Sequence, residues 1–260
     1  MDSNIINNEE KFLAGKLEGY SLKGAENKFD NKGNPLPFPG CTIICNIALN
    51  TDLSNEIINF QKKIEHFNPK KNIADSDLEL IKEAIRLAPS SYGLQLFKVI
   101  IIKDEDLKRK LKSASYNQSQ ISDASHLFVF CNYTKIFEKD IDLYIDTKSK
   151  IQKQPINKLQ GYGEFLKNNL LKKNTTETSI WTTNQVYIAL AHLMTACATL
   201  QIDSCPIEGF DVQKYNEILE LEERHMNAAV VAPIGYRSET DKSQNDKKVR
   251  KSSGILFESI

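Results

Sequence analysis

The sequence predicts a mixed fold in which a few buried strands sit among many helices, around one helix with no polar face. Three observations carry this. The runs FKVIIIK (97–103), HLFVFCN (126–132) and AAVVAPIGYR (228–237) are short, apolar and bounded by turn residues, the pattern of buried strands. Between them lie longer stretches whose apolar residues recur three and four apart, the helical period. Residues 186–202 are apolar nearly all round, so that helix must be covered on most sides.

Taken in order, residues 1–50 differ from the rest. KFDNKGNPLPFPG (28–40) is a Gly/Pro/Asn loop and CTIICNIAL (41–49) a strand, together expected to form an extension ahead of a main domain over 51–260. Asp52 or Ser54 caps a helix running to about Glu65, where FNPKKN breaks it. Asp75 or Ser76 opens a second helix, with Leu78, Ile81, Ile85 and Leu87 on one face. APSSYG ends it and leads into FKVIIIK. DEDLKRKLKSA is a helix with acids at its start and bases near its end, matching the helix dipole. A polar helical region follows HLFVFCN to about Lys173, and a long helix then spans Ser179–Leu200. SCPIEGF (204–210) links it to the next helix; a plain connector has no use for that carboxylate and isoleucine. After the third strand comes a polar, basic tail, and GILFESI (254–260) closes the sequence with an apolar piece expected to reach a second subunit. A helix as dry as 186–202 needs more cover than one small subunit supplies, so a dimer is expected.

Composition excludes several classes. Lys plus Arg number 34 and Asp plus Glu 34, so zero net charge gives no drive toward nucleic acid or an anionic membrane. The longest apolar stretch carries His192, several Thr and Gln201 and is short for a span, so it reads as a buried helix. The five cysteines lack framework or zinc spacing, and Cys131 and Cys197 read as small buried hydrophobes. That usage suits a reducing compartment. With no basic segment leading an apolar core at the start, a cytoplasmic location is expected. No histidine pair has metalloprotease spacing, Ser125-His126 are neighbours and not a triad, and DIDLYID (140–146) lacks the glycine and glutamate of a calcium loop, so no metal site is expected. Asn132-Tyr-Thr and Asn174-Thr-Thr look like glycosylation triplets, without meaning in that compartment.

Four polar stretches remain: APSSYGLQ (88–95), SYNQSQ (115–120), SCPIEGF and KKVR (247–250). Hydroxyls and free amides at Pro89-Ser90-Ser91 can meet a phosphate. Lys248 and Arg250, one residue apart, point to one side of an extended chain and suit a phosphate clamp.

The segments APSSYGLQLF (88–97), DASHLFVFC (123–131), NQVYIALAHLMTACATLQIDSCPIEGFD (184–211) and VVAPIGYRS (230–238) occur in this order. On them, the sequence from about Asn55 to Ile260 resembles the nitroreductase family of FMN-dependent oxidoreductases, in its oxygen-insensitive NAD(P)H nitroreductase and dihydropteridine reductase branch. The resemblance implies an α+β fold, a central mainly antiparallel sheet flanked by helices, in a domain-swapped homodimer with FMN at the interface. It implies a ping-pong cycle: NAD(P)H reduces the flavin at N5, and a nitroaromatic, quinone or other flat acceptor then takes the electrons. By the same resemblance, Pro206 and Ile207 cover the ring face, the Glu208 amide meets N5, and Gly209 permits close approach. Asn117 meets the pyrimidine edge, Gln185 reaches in from the long helix, and Pro89, Ser90, Ser91 and Gly93 line the cofactor. Lys248 and Arg250 hold its phosphate. No side chain is expected to act as acid, base or nucleophile, because the flavin carries the chemistry.

The sequence departs from the family at one helix. Where relatives place an Arg-Arg-Ser or Arg-His-Ser triplet followed by a base, it reads Gln61-Lys62-Lys63-Ile64-Glu65. Gln61, Lys62 and Lys63 stay candidate cofactor contacts, the lysines as point charges and not forks. Glu65 takes the position of the base, where an anion opposes the charge of a reduced flavin. The substrate-side Gln-Pro-Trp is Gln95-Leu96-Phe97. Two rivals follow: a member with other flavin chemistry, such as enone reduction or dehalogenation, and a degenerate member that has lost flavin and binds or regulates.

Overall fold

The computed structural model describes residues 59–260. The expected extension over 1–50, its strand and the helix start at Asp52 or Ser54 lie outside them. Among the described residues, β1 (Phe97–Ile102), β2 (His126–Tyr133), β3 (Asp203–Ser204) and β4 (Met226–Gly235) form one antiparallel sheet in the order β1-β2-β4-β3. Around it lie α1 (Asp75–Arg86), α2 (Glu105–Ser113), α3 (Ser119–Asp123), α4 (Glu138–Gln152), α5 (Gln160–Leu170), α6 (Thr175–Thr199), α7 (Val212–Ile218) and α8 (Ser253–Leu256). This is the α+β, antiparallel architecture that the resemblance implies.

The sheet is covered on both faces, which is why β2 is an unbroken apolar run. Phe128 and Phe130 of β2, with Val230, Ala232 and Ile234 of β4, pack against Ile81 and Ile85 of α1 and Val186, Leu190 and Leu193 of α6. Leu127, Val129 and Cys131 face the other way, toward Leu111, Ile121 and Tyr215. In β4 the register slips: Phe130 pairs with Val230 but Cys131 with Ala228, leaving Ala229 as the extra residue of a bulge. The bulge puts Ala228 and Val230 on opposite faces despite their even spacing.

Three expectations are corrected. β1 is not fully buried: it lies at the sheet edge and only Ile102 is enclosed. The short strand β3, hidden in front of SCPIEGF, adds an edge beside β4. The helix expected to run to Glu65 ends earlier: Asn59 and Phe60 are helical but 61–65 are not. Its backbone groups are taken by loops instead. Asp241 accepts from the Glu65 and His66 amides at 2.9 and 3.0 Å, Ser243 Oγ donates to the Lys63 carbonyl at 2.8 Å, and Ser238 N donates to the His66 carbonyl at 2.9 Å.

Helix α6 is the long helix that the sequence marks out, starting four residues early because Asn174 and Glu177 form a capping box. Asn174 Oδ1 accepts from Glu177 N and Glu177 Oε2 from Asn174 N, both at 2.9 Å. Asn132 also has a role: its buried amide donates to Ser179 Oγ at 2.9 Å and Thr182 Oγ1 at 3.2 Å, tying β2 to α6. The helix is not dry on every side within one chain, since Tyr187, Ile188 and Ala191 are exposed.

Replacing Asn174 with Ala removes the cap, and urea unfolding is expected to report a loss of about 1 kcal/mol with unchanged slope, most of it recovered by Asn174→Ser.

Candidate functional site

Helix α6 holds two of the four polar stretches, and the segment at Gln61, each by a different residue. Gln185, buried, accepts from Ser91 N through Oε1 at 2.7 Å and donates from Nε2 to the Trp181 carbonyl at 3.1 Å. Tyr187 donates to Glu208 Oε1 at 2.5 Å. The Met194 carbonyl accepts from Gln61 Nε2 at 3.2 Å. Residues two apart on a helix point about 200° away from each other. The Ser90-Ser91 turn and the Glu208 loop therefore attach to opposite faces of α6, and a single chain does not bring them together.

The turn at 89–95 is locally strained. Tyr92, Gly93 and Gln95 have φ of 58°, 75° and 49°, a left-handed conformation that only the glycine adopts freely. Its bonds hold it there: Ser90 Oγ accepts from Gln95 N at 3.0 Å, and Gln95 Nε2 donates to the Arg86 carbonyl at 2.7 Å. Pro89 is exposed, as is Tyr92, whose ring lies 6.2 Å from that of Trp181 and 6.4 Å from that of Phe165.

The loop after β3 is fixed along its backbone. Cys205 N donates to the Pro233 carbonyl at 3.0 Å, Ile207 exchanges bonds of 2.8 and 3.1 Å with Val231, and Asp211 N donates to the Ala114 carbonyl at 2.7 Å. Gln118 Nε2 reaches the Gly209 carbonyl at 2.7 Å, which places Asn117, exposed and left-handed at φ 59°, next to this loop. Among the described residues, the Glu208 and Gly209 amides donate to no protein acceptor. A Cβ on Gly209 would come no nearer than 3.9 Å to any protein atom, so no protein neighbour demands a glycine there. The structure puts the Ile207 side chain in the core with Phe210 and Tyr215, so its backbone, and not its side chain, belongs to the loop surface; Pro206 is exposed.

The basic residues divide into two sets. Lys63 is paired with Glu65 at 2.5 Å, and that carboxylate, first by hydrogen bonding and then by charge, pushes the ammonium up. Glu65 thus answers a lysine of its own chain. Lys62, Lys248 and Arg250 form the other set: burial, then the charges of Lys62 and Arg250, push the half-buried Lys248 down. Three cations close enough to oppose one another are a place where an anion is favoured. The strand-like clamp expected at 248–250 is irregular chain, and Arg250 Nη1 donates to the Val249 carbonyl at 2.8 Å.

Residues 62–236 match the model of the nitroreductase family. A Staphylococcus haemolyticus protein named "Putative NAD(P)H nitroreductase" is 36% identical over 211 residues, 78% of this chain and 94% of its own length. In structure, the Bacillus subtilis protein ydfN, titled a putative nitroreductase, is similar with a TM-score of 0.70 at 20% identity, over 81% of this chain and all of that one. A nitroreductase-titled protein of Exiguobacterium sibiricum, solved in complex with FMN, has a TM-score of 0.64 at 19% identity, covering 79% and 96%. The chain belongs to the nitroreductase family. Its class is that of the family, an NAD(P)H-dependent flavin oxidoreductase.

Among the described residues no group of metal-ligating side chains converges, and no helix is long and apolar enough to cross a membrane. The cysteines among the described residues are shielded: burial pushes the thiol of Cys131 up to about 12 and that of Cys205 to about 11. Ser125 Oγ lies 3.0 Å from His126 Nδ1 but also accepts from Ile73 N at 3.0 Å, so the pair clasps a loop to β2. Sequence reasoning missed Tyr187, Gln118 and Asp241, which touch the site loops. QVYI and SCPIEGF lie in one quoted segment, but only the fold shows that the tyrosine of one meets the acid of the other.

Asp241 is fully enclosed; burial pushes its carboxyl up, but the Ser243 hydroxyl and the His66, Glu65 and Ser243 amides outweigh this and hold it below its ordinary range. A folded-state value below the unfolded one gives stability that is present above the unfolded value, about 3.9, and is lost as pH falls through the folded one. Urea unfolding is therefore expected to show Asp241→Asn less stable than wild type at neutral pH, with the gap narrowing below pH about 4.

Proposed function

We propose that this nitroreductase binds FMN and uses NAD(P)H to reduce nitroaromatics, quinones or similar flat electron acceptors in a ping-pong cycle. The observation that carries this is the loop at 206–209, where the adjacent Glu208 and Gly209 amides have no protein acceptor among the described residues and no Cβ crowds the approach at Gly209. Such a pair suits the acceptor atoms along a flavin ring. Asn117 stands beside it, held through the Gln118 contact with Gly209. Lys62, Lys248 and Arg250 are the cations for the phosphate, whose charge offsets the push of Lys62 and Arg250 on Lys248. Ser90, Ser91 and Gly93 supply the opposite wall, positioned by Gln185. When bound, FMN takes a hydride from NAD(P)H and returns the electrons to the second substrate. This chain's residues bind it, orient it and set the space in which flat molecules stack.

The two walls attach to opposite faces of α6, so they enclose one cofactor only if a second copy supplies the second wall. The exposed Tyr187, Ile188 and Ala191 of α6 and the apolar Ile255, Leu256 and Phe257 near the C-terminus are the surfaces such a homodimer covers. Residues 1–50 are an extension outside this flavin domain, and the shielded thiols agree with a reducing cytoplasm.

Purified protein is expected to carry the visible absorption of flavin. Lys248→Ala with Arg250→Ala removes two charge-assisted partners, each contributing about 1.5–3 kcal/mol. FMN affinity should fall by orders of magnitude while the circular dichroism spectrum stays native. Unchanged affinity would move the phosphate site elsewhere, and a colourless wild type that takes up no FMN would favour the flavin-free rival. Anaerobic reduction by NADH or NADPH, followed by reoxidation with nitroaromatics, quinones, enones and halophenols, distinguishes the acceptor classes.

A shared site has a sharper signature. Lys248→Ala/Arg250→Ala breaks one wall and Ser91→Asp the other. Co-expressing the two variants yields heterodimers in which one site carries both defects and its twin carries none. In a random mixture about one site in four should then bind FMN normally. A site built within one chain would regain nothing.

A further inference from the structure

The loop at 205–211 is anchored on its backbone at Cys205, Ile207, Gly209 and Asp211, to β4 on one side and to the 114–118 turn on the other. Residue 208, between these anchors, is held twice: its carbonyl accepts from Phe210 N at 3.0 Å, and its side chain, through Glu208 Oε1, accepts from Tyr187 Oη at 2.5 Å. Tyr187 comes from the long helix α6 and is 37% exposed, so the bond lies at the surface and not in the core. The peptide planes on either side of Glu208 carry the two amides that lack a protein acceptor among the described residues; each plane is held by one carbonyl, Ile207 to Val231 N at 3.1 Å and Glu208 to Phe210 N at 3.0 Å, and the Tyr187 bond adds the one side-chain restraint between them.

We propose that Tyr187 is a positioning residue: its phenol holds the Glu208 carboxylate and, together with the two backbone bonds, sets the direction in which the Glu208 and Gly209 amides meet the flavin. The inference rests on the FMN reading above. A donor aimed in advance loses less freedom on binding than one that must be ordered by its ligand. Burial and the Glu208 carboxylate push the Tyr187 phenol up to about 12, so it keeps its proton and remains the donor throughout the neutral range. Glu208, though exposed, is then held by its own chain and faces a bound molecule with its amide.

A double-mutant cycle on the full chain tests this, with FMN titrated into flavin-stripped protein and read by quenching of flavin fluorescence. Tyr187→Phe and Glu208→Ala are each expected to raise the FMN dissociation constant about three- to tenfold, the range of one ordinary hydrogen bond. The double variant should be no worse than the weaker-binding single, because both remove the same contact. Glu208→Gln keeps a carbonyl acceptor and should stay within about twofold of wild type on the same scale. The urea midpoint of the flavin-free protein should not move in any variant, which separates aiming the amides from holding the fold. Equal affinity of wild type and Tyr187→Phe, or additive effects in the double variant, overturns the latch while leaving the flavin reading intact. Failure of the wild type itself to bind FMN overturns both.

Discussion

The burial of α6 against the sheet is the contact on which everything else hangs. Val186, Ala189, Leu190, Leu193 and Cys197 lie in the cluster that also holds Phe128, Phe130 and Val230. Each large apolar side chain buried this way contributes about 1.5–3 kcal/mol. The packing fixes rotation as well as position. Once the apolar stripe is down, Gln185 must face the 89–95 turn and Tyr187 must face the other way. The placement of the candidate site is thus decided by core residues that never touch it.

Polar stitches then tie irregular chain to that frame. Asp203, 4% exposed, receives Arg237 through both Nε and Nη2, and Arg237 Nη2 also donates to the Phe60 carbonyl at 3.1 Å. Asp241 takes the next pair of amides along, at Glu65 and His66. A buried carboxylate with several donors is a rigid fixture, because leaving any of them unmatched in a low-dielectric interior is costly. Lys62 owes its place near Lys248 to these two acids, which flank it in the fold but lie far from it in sequence.

The elements set by local pattern were legible in the sequence. Strands β1, β2 and β4 and helices α1, α2 and α6 follow from apolar period and charge placement, and the family follows from four segments in order. What escaped was whatever depends on distant partners. The last turn expected of the helix running to Glu65 has acceptable local propensity, but Asp241 and Ser243, 176 and 180 residues away from their partners, take its backbone groups. Asn132 and Asn174 sit in triplets that suggested nothing, yet one bridges β2 to α6 and the other caps α6. The resemblance sets Ile207 against the ring face; its bridge to Val231 leaves the side chain in the core. The resemblance sets Glu65 at the position of a flavin-facing base; the fold pairs it with Lys63.

The shared site proposed from the opposed faces of α6 has a thermodynamic consequence. A cofactor clasped between two copies is a ligand of the assembly and not of the subunit. Its affinity must then fall with dilution of the protein, and the association of the subunits must tighten as the cofactor is added, by equal free energies. In the proposed site, holding a flavin and holding a partner become one equilibrium.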